Sequence, residues 1–234
     1  MPHQEPVDLL IAFEEASEAP IRPEYLDGMV VVPRLPDFGH TDTAGDMAFQ
    51  IHAAGLPLVG RGNGYRAADK DGVTLGLLIP DFYVLRRKMP DADESHYAAH
   101  KGWYPIETLA LVGAVASAHH EMAAGPKFRI YAAARVPVYV LINRTTRTAH
   151  CHTEPVLPDD DPAKACYTTG TKVPLGASLP LPAPFPALRT KPWHPGPGRC
   201  TLPPGNDSIA AGACAIDALR TAGLPSAAPD RKVS

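Results

Sequence analysis

The chain has 234 residues, of which 45% are hydrophobic. Its formal net charge of −3 excludes a strong overall attraction to nucleic acid, but a chain with this net charge can still have a local basic groove. No apolar run approaches the roughly 20 residues that a membrane-spanning helix needs, and the first residues lack the basic segment of a signal peptide. The four cysteines form no C-x-x-C pair, which favours a globular cytoplasmic protein over a disulfide framework or a zinc knuckle.

The first predicted elements are helices. An apolar face within residues 7–11 indicates a helix that ends before Pro20. A second helix is predicted over residues 43–54, where Thr43 and Asp46 have the spacing of a capping box. Ala44, Met47, Ala48 and Ile51 of the second helix are expected to face the core.

The next segment alternates loops and strands. The glycine-rich residues 60–64 lack the spacing of a phosphate-binding motif and precede no clear helix, so a loop or hairpin is favoured over a phosphate cradle. Strands are predicted over residues 74–79 and 82–85, on either side of Pro80 and Asp81. The charged residues 86–94 are predicted to form a surface loop.

The second half of the chain contains two long apolar runs. Residues 108–116 and 136–142 each have the length and composition of a strand buried on both faces. A helix predicted over residues 127–134 lies between them, so we expect two adjacent parallel strands joined by a helical crossover. Residues 148–153 alternate as a further strand, and another short strand begins near Tyr167.

The composition changes near the C-terminus. Proline, glycine and alanine crowd the sequence from residue 180 onward without a sustained period. We therefore predict one domain over residues 1–193 and a largely disordered tail over residues 194–234, in which residues 209–222 form at most one weak helix.

A set of short motifs occurs in a characteristic order. These are residues 24–28 (EYLDG), His40, the Pro80–Asp81 pair, residues 115–117 (VAS), and Lys127-x-x-x-Tyr131 followed by residues 136–140 (VPVYV). Together they resemble the Uma-type restriction endonuclease family, within the PD-(D/E)XK nuclease class, over residues 7–190. The resemblance implies an α/β fold: a restriction-endonuclease-like mixed β-sheet flanked by helices.

The resemblance also implies a metal-dependent active site that hydrolyses phosphodiester bonds in DNA. It assigns Asp81 as a catalytic, metal-binding acid, the backbone carbonyl of Val115 as a neutral metal ligand, and Lys127 as the catalytic cation. Mg²⁺ or Mn²⁺ would be the cofactor, because a hard cation bound by oxygen ligands polarises the phosphate and activates water. Outside the resemblance, Asp81 also suits a turn after proline, and Lys127 also suits an exposed helix position.

Several acids of the family pattern are absent. Ala114 stands where the family has a glutamate, Ala123 replaces an aspartate four residues before Lys127, and Asn143 replaces the aspartate after the closing strand. One carboxylate and one carbonyl make a weak Mg²⁺ site, so hydrolysis is expected to be weakened or lost. Glu121 is a candidate replacement ligand, and its alternative interpretation is a solvated or capping residue near a helix start.

Two other functions remain open. The first is a catalytically inactive nuclease-like scaffold that binds nucleic acid or a protein partner. The second is a structural remnant with a tail that arose from a shifted reading frame. The sequence leaves the oligomeric state open, with a homodimer as one candidate. His119 with His120, and His150 with His152, show no third ligand that would make a metal site.

Overall fold

The computed structural model describes residues 5–116 and 123–191 of a mixed α/β protein. The helices are α1 (Pro6–Ala16), α2 (Phe38–Ala53), α3 (Asp91–Ala99) and α4 (Phe128–Ala133), with a π-helical segment at Ala123–Lys127 leading into α4. The strands are β1 (Glu24–Leu26), β2 (Met29–Val31), β3 (Val59–Gly60), β4 (Gly64–Ala68), β5 (Thr74–Leu78), β6 (Phe82–Leu85), β7 (Trp103–Pro105), β8 (Leu109–Ala116), β9 (Val138–Asn143), β10 (Thr148–Val156), β11 (Cys166–Pro174), β12 (Ser178–Leu179) and β13 (Leu188–Arg189).

The main sheet is built around the two long apolar runs. Its strand order is β11-β10-β9-β8-β6-β3, in which β8 and β9 are parallel and the other pairs are antiparallel. All six residues of β9 are buried, as expected for a strand covered on both faces. The predicted adjacent parallel pair is confirmed, and the connection between its strands contains the helical residues 123–133.

Each face of the main sheet is covered by a different layer. On one face, α2 packs Met47 and Ile51 against a cluster that includes Val115 and Val140. On the other face, α4 and the second sheet, of order β2-β1-β5-β4-β7, share a core with the main sheet. Ala114 belongs to that second core, which also holds the buried tyrosines described below. The predicted mixed sheet flanked by helices is therefore confirmed.

Helix α2 begins five residues earlier than the sequence indicates. It starts at Phe38, because Asp37 is the N-cap and its side chain accepts a hydrogen bond from the backbone N–H of His40. The predicted capping box at Thr43 is wrong, since Thr43 lies within the helix and its hydroxyl donates to the carbonyl of Gly39. The earlier start places His40 in the first turn of α2.

The predicted loop at residues 86–94 is also partly wrong, because α3 begins within it at Asp91. Pro90 occupies the N-cap position, and three acidic residues lie in the first turn, where they face the positive end of the helix dipole. Asp93 is 7% exposed and its carboxylate accepts a 2.9 Å hydrogen bond from Arg87. The acidic first turn and the ion pair between Arg87 and Asp93 therefore both stabilise α3.

Within the glycine-rich segment, residues 61–63 form the predicted loop, which connects β3 of the main sheet, ending at Gly60, with β4 of the second sheet, beginning at Gly64. A side chain at Gly60 would collide with the ring of Tyr83, and one at Gly64 would collide with the ring of Trp103. These two glycines are explained by close ring packing, which needs no bound phosphate.

The chain divides into two units, residues Met1–His194 and Pro195–Ser234. The second unit, with the predicted tail and its weak helix, lies outside the described residues, as does Glu121. None of the helices in the described ranges combines the length and the apolar character required to cross a lipid bilayer.

Candidate functional site

Asp81 directly precedes β6 and is held by two hydrogen bonds to β8. Its carboxylate Oδ2 accepts a 2.6 Å hydrogen bond from the backbone N–H of Val115, and its own N–H donates to the carbonyl of Gly113 at 3.0 Å. The backbone and side chain of Asp81 therefore bind the residues on either side of Ala114. This arrangement holds the acid against the end of β8, the strand that contains Ala114.

His40 completes the environment of Asp81 from α2. Its Nε2 lies 2.8 Å from Oδ1 of Asp81, so both oxygens of this carboxylate are hydrogen-bonded. The side chains of His40 and Asp81 are 20% and 28% exposed, which leaves the pair open to solvent. The sequence marked His40 as part of the family pattern, and the structure brings it into direct contact with the predicted acid.

The first turn of α2 is anchored to the end of β9. Arg144 follows β9 and donates to both carboxylate oxygens of Asp37, at 2.8 and 3.1 Å. These hydrogen bonds, together with the one from the backbone of His40, lower the pKa of the Asp37 carboxyl below its usual range. Arg144 and Asp37 therefore hold the turn that presents His40 to Asp81.

Glu24 is the residue that the sequence analysis did not assign to the site. It lies on β1 and is 1% exposed, and its Oε1 accepts a 2.6 Å hydrogen bond from the N–H of Ile79. Its Oε2 is 2.6 Å from Nζ of Lys127, the predicted catalytic cation, whose side chain is 16% exposed. Glu24 stands within the EYLDG motif, but only its pairing with a distant lysine shows its role.

Two buried tyrosines lie near both acids. Tyr131 and Tyr139 are almost completely inaccessible, and their rings are 5.4 Å apart. Burial is the main cause that raises the pKa of each hydroxyl well above its ordinary value, and the negative charges of Glu24 and Asp81 raise both further. Both carboxylates thus act electrostatically on the same pair of buried rings. The catalytic roles that the resemblance assigns to Asp81 and Lys127 stay predictions.

The positions that depart from the family pattern have ordinary structural surroundings. Ala114 is 7% exposed within the second core. Asn143 uses its side-chain oxygen to accept hydrogen bonds from the N–H groups of Thr145 and Thr146, so it stabilises the turn after β9. The contact of Val115 with Asp81 is made by its N–H, and the assignment of its carbonyl as a metal ligand stays a prediction.

The described residues fit a Mg²⁺ site poorly. Within residues 5–116 and 123–191, no group of three or more His, Cys, Asp or Glu side chains is placed to hold a metal ion. Glu24 and Asp81 each have both carboxylate oxygens engaged by protein groups. Mg²⁺ requires a near-octahedral set of oxygen ligands. Here Asp81 would supply one carboxylate and Ala114 supplies none, so the protein would contribute few of these ligands.

The histidine pair on β10 has a packing role. His150 and His152 point to one face of the strand, as predicted, with their rings 5.8 Å apart. The His152 ring packs edge-on against Phe128 of α4 at 5.0 Å, and the His150 ring nitrogen bonds the hydroxyl of Thr148. Burial lowers the pKa of both imidazoles. Their contacts are those of a half-buried sheet face.

Comparisons with known proteins give one family match and one distant structural similarity. One solved structure, "a putative nuclease belonging to DUF820 from Anabaena variabilis ATCC 29413", has 13% sequence identity and a TM-score of 0.47, covering 74% of this chain and 88% of that chain. No curated protein shows significant similarity. The model of the Uma2 family, described as "Putative restriction endonuclease", matches residues 9–188. Because this match spans most of the sequence, the chain belongs to the Uma2 family of putative restriction endonucleases.

Proposed function

We propose that this protein acts on DNA through the site around Asp81, and that its metal-dependent phosphodiester hydrolysis is weakened or lost. One observation carries the proposal: the two hydrogen bonds of Asp81 to β8 bind the residues on either side of Ala114. The position that has a glutamate in the family pattern is therefore beside the remaining acid, and here it has only a methyl group.

The chemistry explains why this single position matters. A bound divalent ion would polarise the scissile phosphate and lower the pKa of an attacking water. Asp81 would be one of its oxygen ligands, and Lys127 would contribute positive charge near the phosphate. With Ala114 as the neighbour of Asp81, the ion would have too few protein ligands to bind tightly.

Calorimetric titration with Mg²⁺ and Mn²⁺ tests the metal site directly. We expect weak binding by the natural chain and tighter binding by Ala114→Glu, because the new carboxylate would stand beside Asp81. Ala116→Glu is the matched control, since Ala116 has the same 7% exposure but lies about 7 Å further along β8. Equal, negligible binding by the natural chain and Ala114→Glu would contradict the proposal.

Plasmid nicking tests the reaction separately. We expect slow or undetectable cleavage by the natural chain, and a measurable gain for Ala114→Glu that Asp81→Ala removes. Robust cleavage by the natural chain, abolished by Asp81→Ala, would show that another acid serves as the second ligand. Glu121 is then the first candidate, and the Glu121→Gln variant would identify it.

A second function is favoured by the saturation of both acids. Asp81 and Glu24 already have protein partners at each oxygen, as in a structural network. The alternative is an inactive nuclease-like scaffold that binds nucleic acid or a protein partner. Tight metal binding by Ala114→Glu without any cleavage, combined with DNA binding by the natural chain, would support this scaffold.

A further inference from the structure

Arg61 lies in the glycine-rich loop beside Asp81 and is exposed to solvent. Its Nε donates to the backbone carbonyl of Asp81 and its Nη2 to the carbonyl of Thr41, both at 3.4 Å. These long, weak hydrogen bonds direct the guanidinium toward α2 and Asp81 and leave most of its five donors available to an anion. Arg22, also exposed, donates to the carbonyl of Gly62 and adds a second positive charge at this loop.

Phe38 lies at the first position of α2, and its side chain is 86% exposed. The backbone beneath it is firmly held, because Asp37 binds Arg144 through two hydrogen bonds and caps α2. Thr41 N–H donates to the carbonyl of Asp37, so Phe38 and Thr41 belong to the same helical turn. The large apolar ring is thus presented to solvent on a hydrogen-bonded turn, three residues before Thr41, whose carbonyl accepts from Arg61.

We infer that Arg61 and Phe38 form a contact edge for double-stranded DNA, in which Arg61 binds a backbone phosphate and Phe38 inserts against a base step. The inference rests on the proposed action on DNA. A guanidinium with available donors suits a phosphate, and an exposed apolar side chain on the helical turn that Arg61 contacts suits partial unstacking of neighbouring bases. The edge adjoins Asp81 through Arg61, and so it would bring a phosphodiester to the acid.

Binding of a fluorescein-labelled DNA duplex in EDTA tests this edge without any requirement for hydrolysis. We expect Phe38→Ala to weaken binding by about 5- to 150-fold, the range of losses seen when an aromatic contact to a base is removed, with little change in salt dependence. Arg61→Gln should make the negative slope of log affinity against log salt concentration shallower by about 0.9, as expected for the loss of one phosphate contact.

The far end of α2 offers matched controls. Phe49 is 68% exposed on the same helix, and the exposed Arg189 hydrogen-bonds Gln50 through its backbone. Phe49→Ala and Arg189→Gln should bind the duplex as the natural chain does. A duplex with 2-aminopurine should brighten on binding the natural chain and the Phe49→Ala variant, but not the Phe38→Ala variant, because the fluorescence reports base unstacking.

Three results would overturn the inference: equal losses at both ends of α2, unchanged binding by Phe38→Ala and Arg61→Gln, or absence of duplex binding by the natural chain. Failure of the hydrolysis proposal looks different. There, Ala114→Glu would bind no metal and cut no DNA, while the duplex would still bind through Phe38 and Arg61.

Discussion

Two pairs of charged or titratable side chains lie near the same buried tyrosines, but they differ in access to water. The side chains of Glu24 and Lys127 are 2% and 16% exposed, whereas those of Asp81 and His40 are 28% and 20% exposed. The first pair joins β1 to the helical segment after β8, and the second joins α2 to the start of β6. The Glu24–Lys127 pair is therefore the more deeply buried of the two, and the Asp81–His40 pair is the more accessible to water.

The difference follows from the cost of burying charge. A buried carboxylate is tolerated when its partner and its remaining hydrogen bonds are all in place, as they are for Glu24 with Lys127 and Ile79. A half-exposed pair is partly solvated, so the loss of one partner leaves the other in contact with water. We therefore expect the two pairs to respond very differently to substitution.

The largest effect is expected when the buried ion pair between Glu24 and Lys127 is broken. Lys127→Met should lower the free energy of unfolding by about 3–5 kcal/mol, because it leaves the Glu24 carboxylate buried without a counter-charge. Urea unfolding followed by circular dichroism measures this loss. The double variant Glu24→Gln with Lys127→Met should recover most of it, since no buried charge remains. A Lys127→Met protein as stable as the natural chain would contradict the expectation that Glu24 needs Lys127 as its counter-charge.

A smaller effect is expected at the open pair. His40→Ala should cost about 1 kcal/mol or less, because water replaces the imidazole as the partner of Asp81. The same urea titration provides the comparison with Lys127→Met. A cost as large as that of Lys127→Met would remove the distinction between the two pairs.

The pH dependence of the α2 anchor gives a third, smaller test. The pKa of Asp37 is held below its ordinary value of 3.8, chiefly by its hydrogen bonds with Arg144. Its ionised form therefore contributes stability at pH values above 3.8, and this contribution is lost as the pH falls through the lower folded pKa. Asp37→Asn keeps the helix cap but lacks the charge. We expect its stability deficit to shrink on acidification, as measured by unfolding at a series of pH values.

The smallest effect is expected for the C-terminal residues. Truncation after residue 193 should leave the melting temperature almost unchanged, because the sequence beyond it has no periodic apolar face to bury. Differential scanning calorimetry of the truncated and full chains decides the matter. A drop of several degrees would mean that these residues contribute on the order of 1–2 kcal/mol to the domain.

The elements predicted correctly from the sequence are those with a strong local signal. The runs that became β8 and β9 are apolar throughout, and a strand buried on both faces requires that composition. Pro80 and Asp81 lie between two strands, as predicted, because the apolar runs on either side of them form β5 and β6. Even α3 had a local signal, since Pro90 and the acidic first turn mark a helix start that the charge of the segment obscured.

The features missed depend on contacts between distant residues. Asp37 caps α2 locally, but the hold of Arg144 on its carboxylate comes from across the fold. Glu24 appeared as one letter of a short motif, and its pairing with Lys127 exists only after the second sheet packs on the main one. Side-chain periodicity carries no information on such pairs, so the composition of the site required the structure.

The anchor between Asp37 and Arg144 also bears on the order in which the protein acquires its site during synthesis. The two residues are 107 positions apart, so at about 5–20 residues per second Arg144 is made roughly 5–20 s after Asp37. Until then the first turn of α2 lacks its anchor, whereas His40 and Asp81 are only 41 positions apart. We expect nascent chains released before residue 144 to form parts of the sheets without a fixed His40, and the working geometry to arise only when β9 is complete.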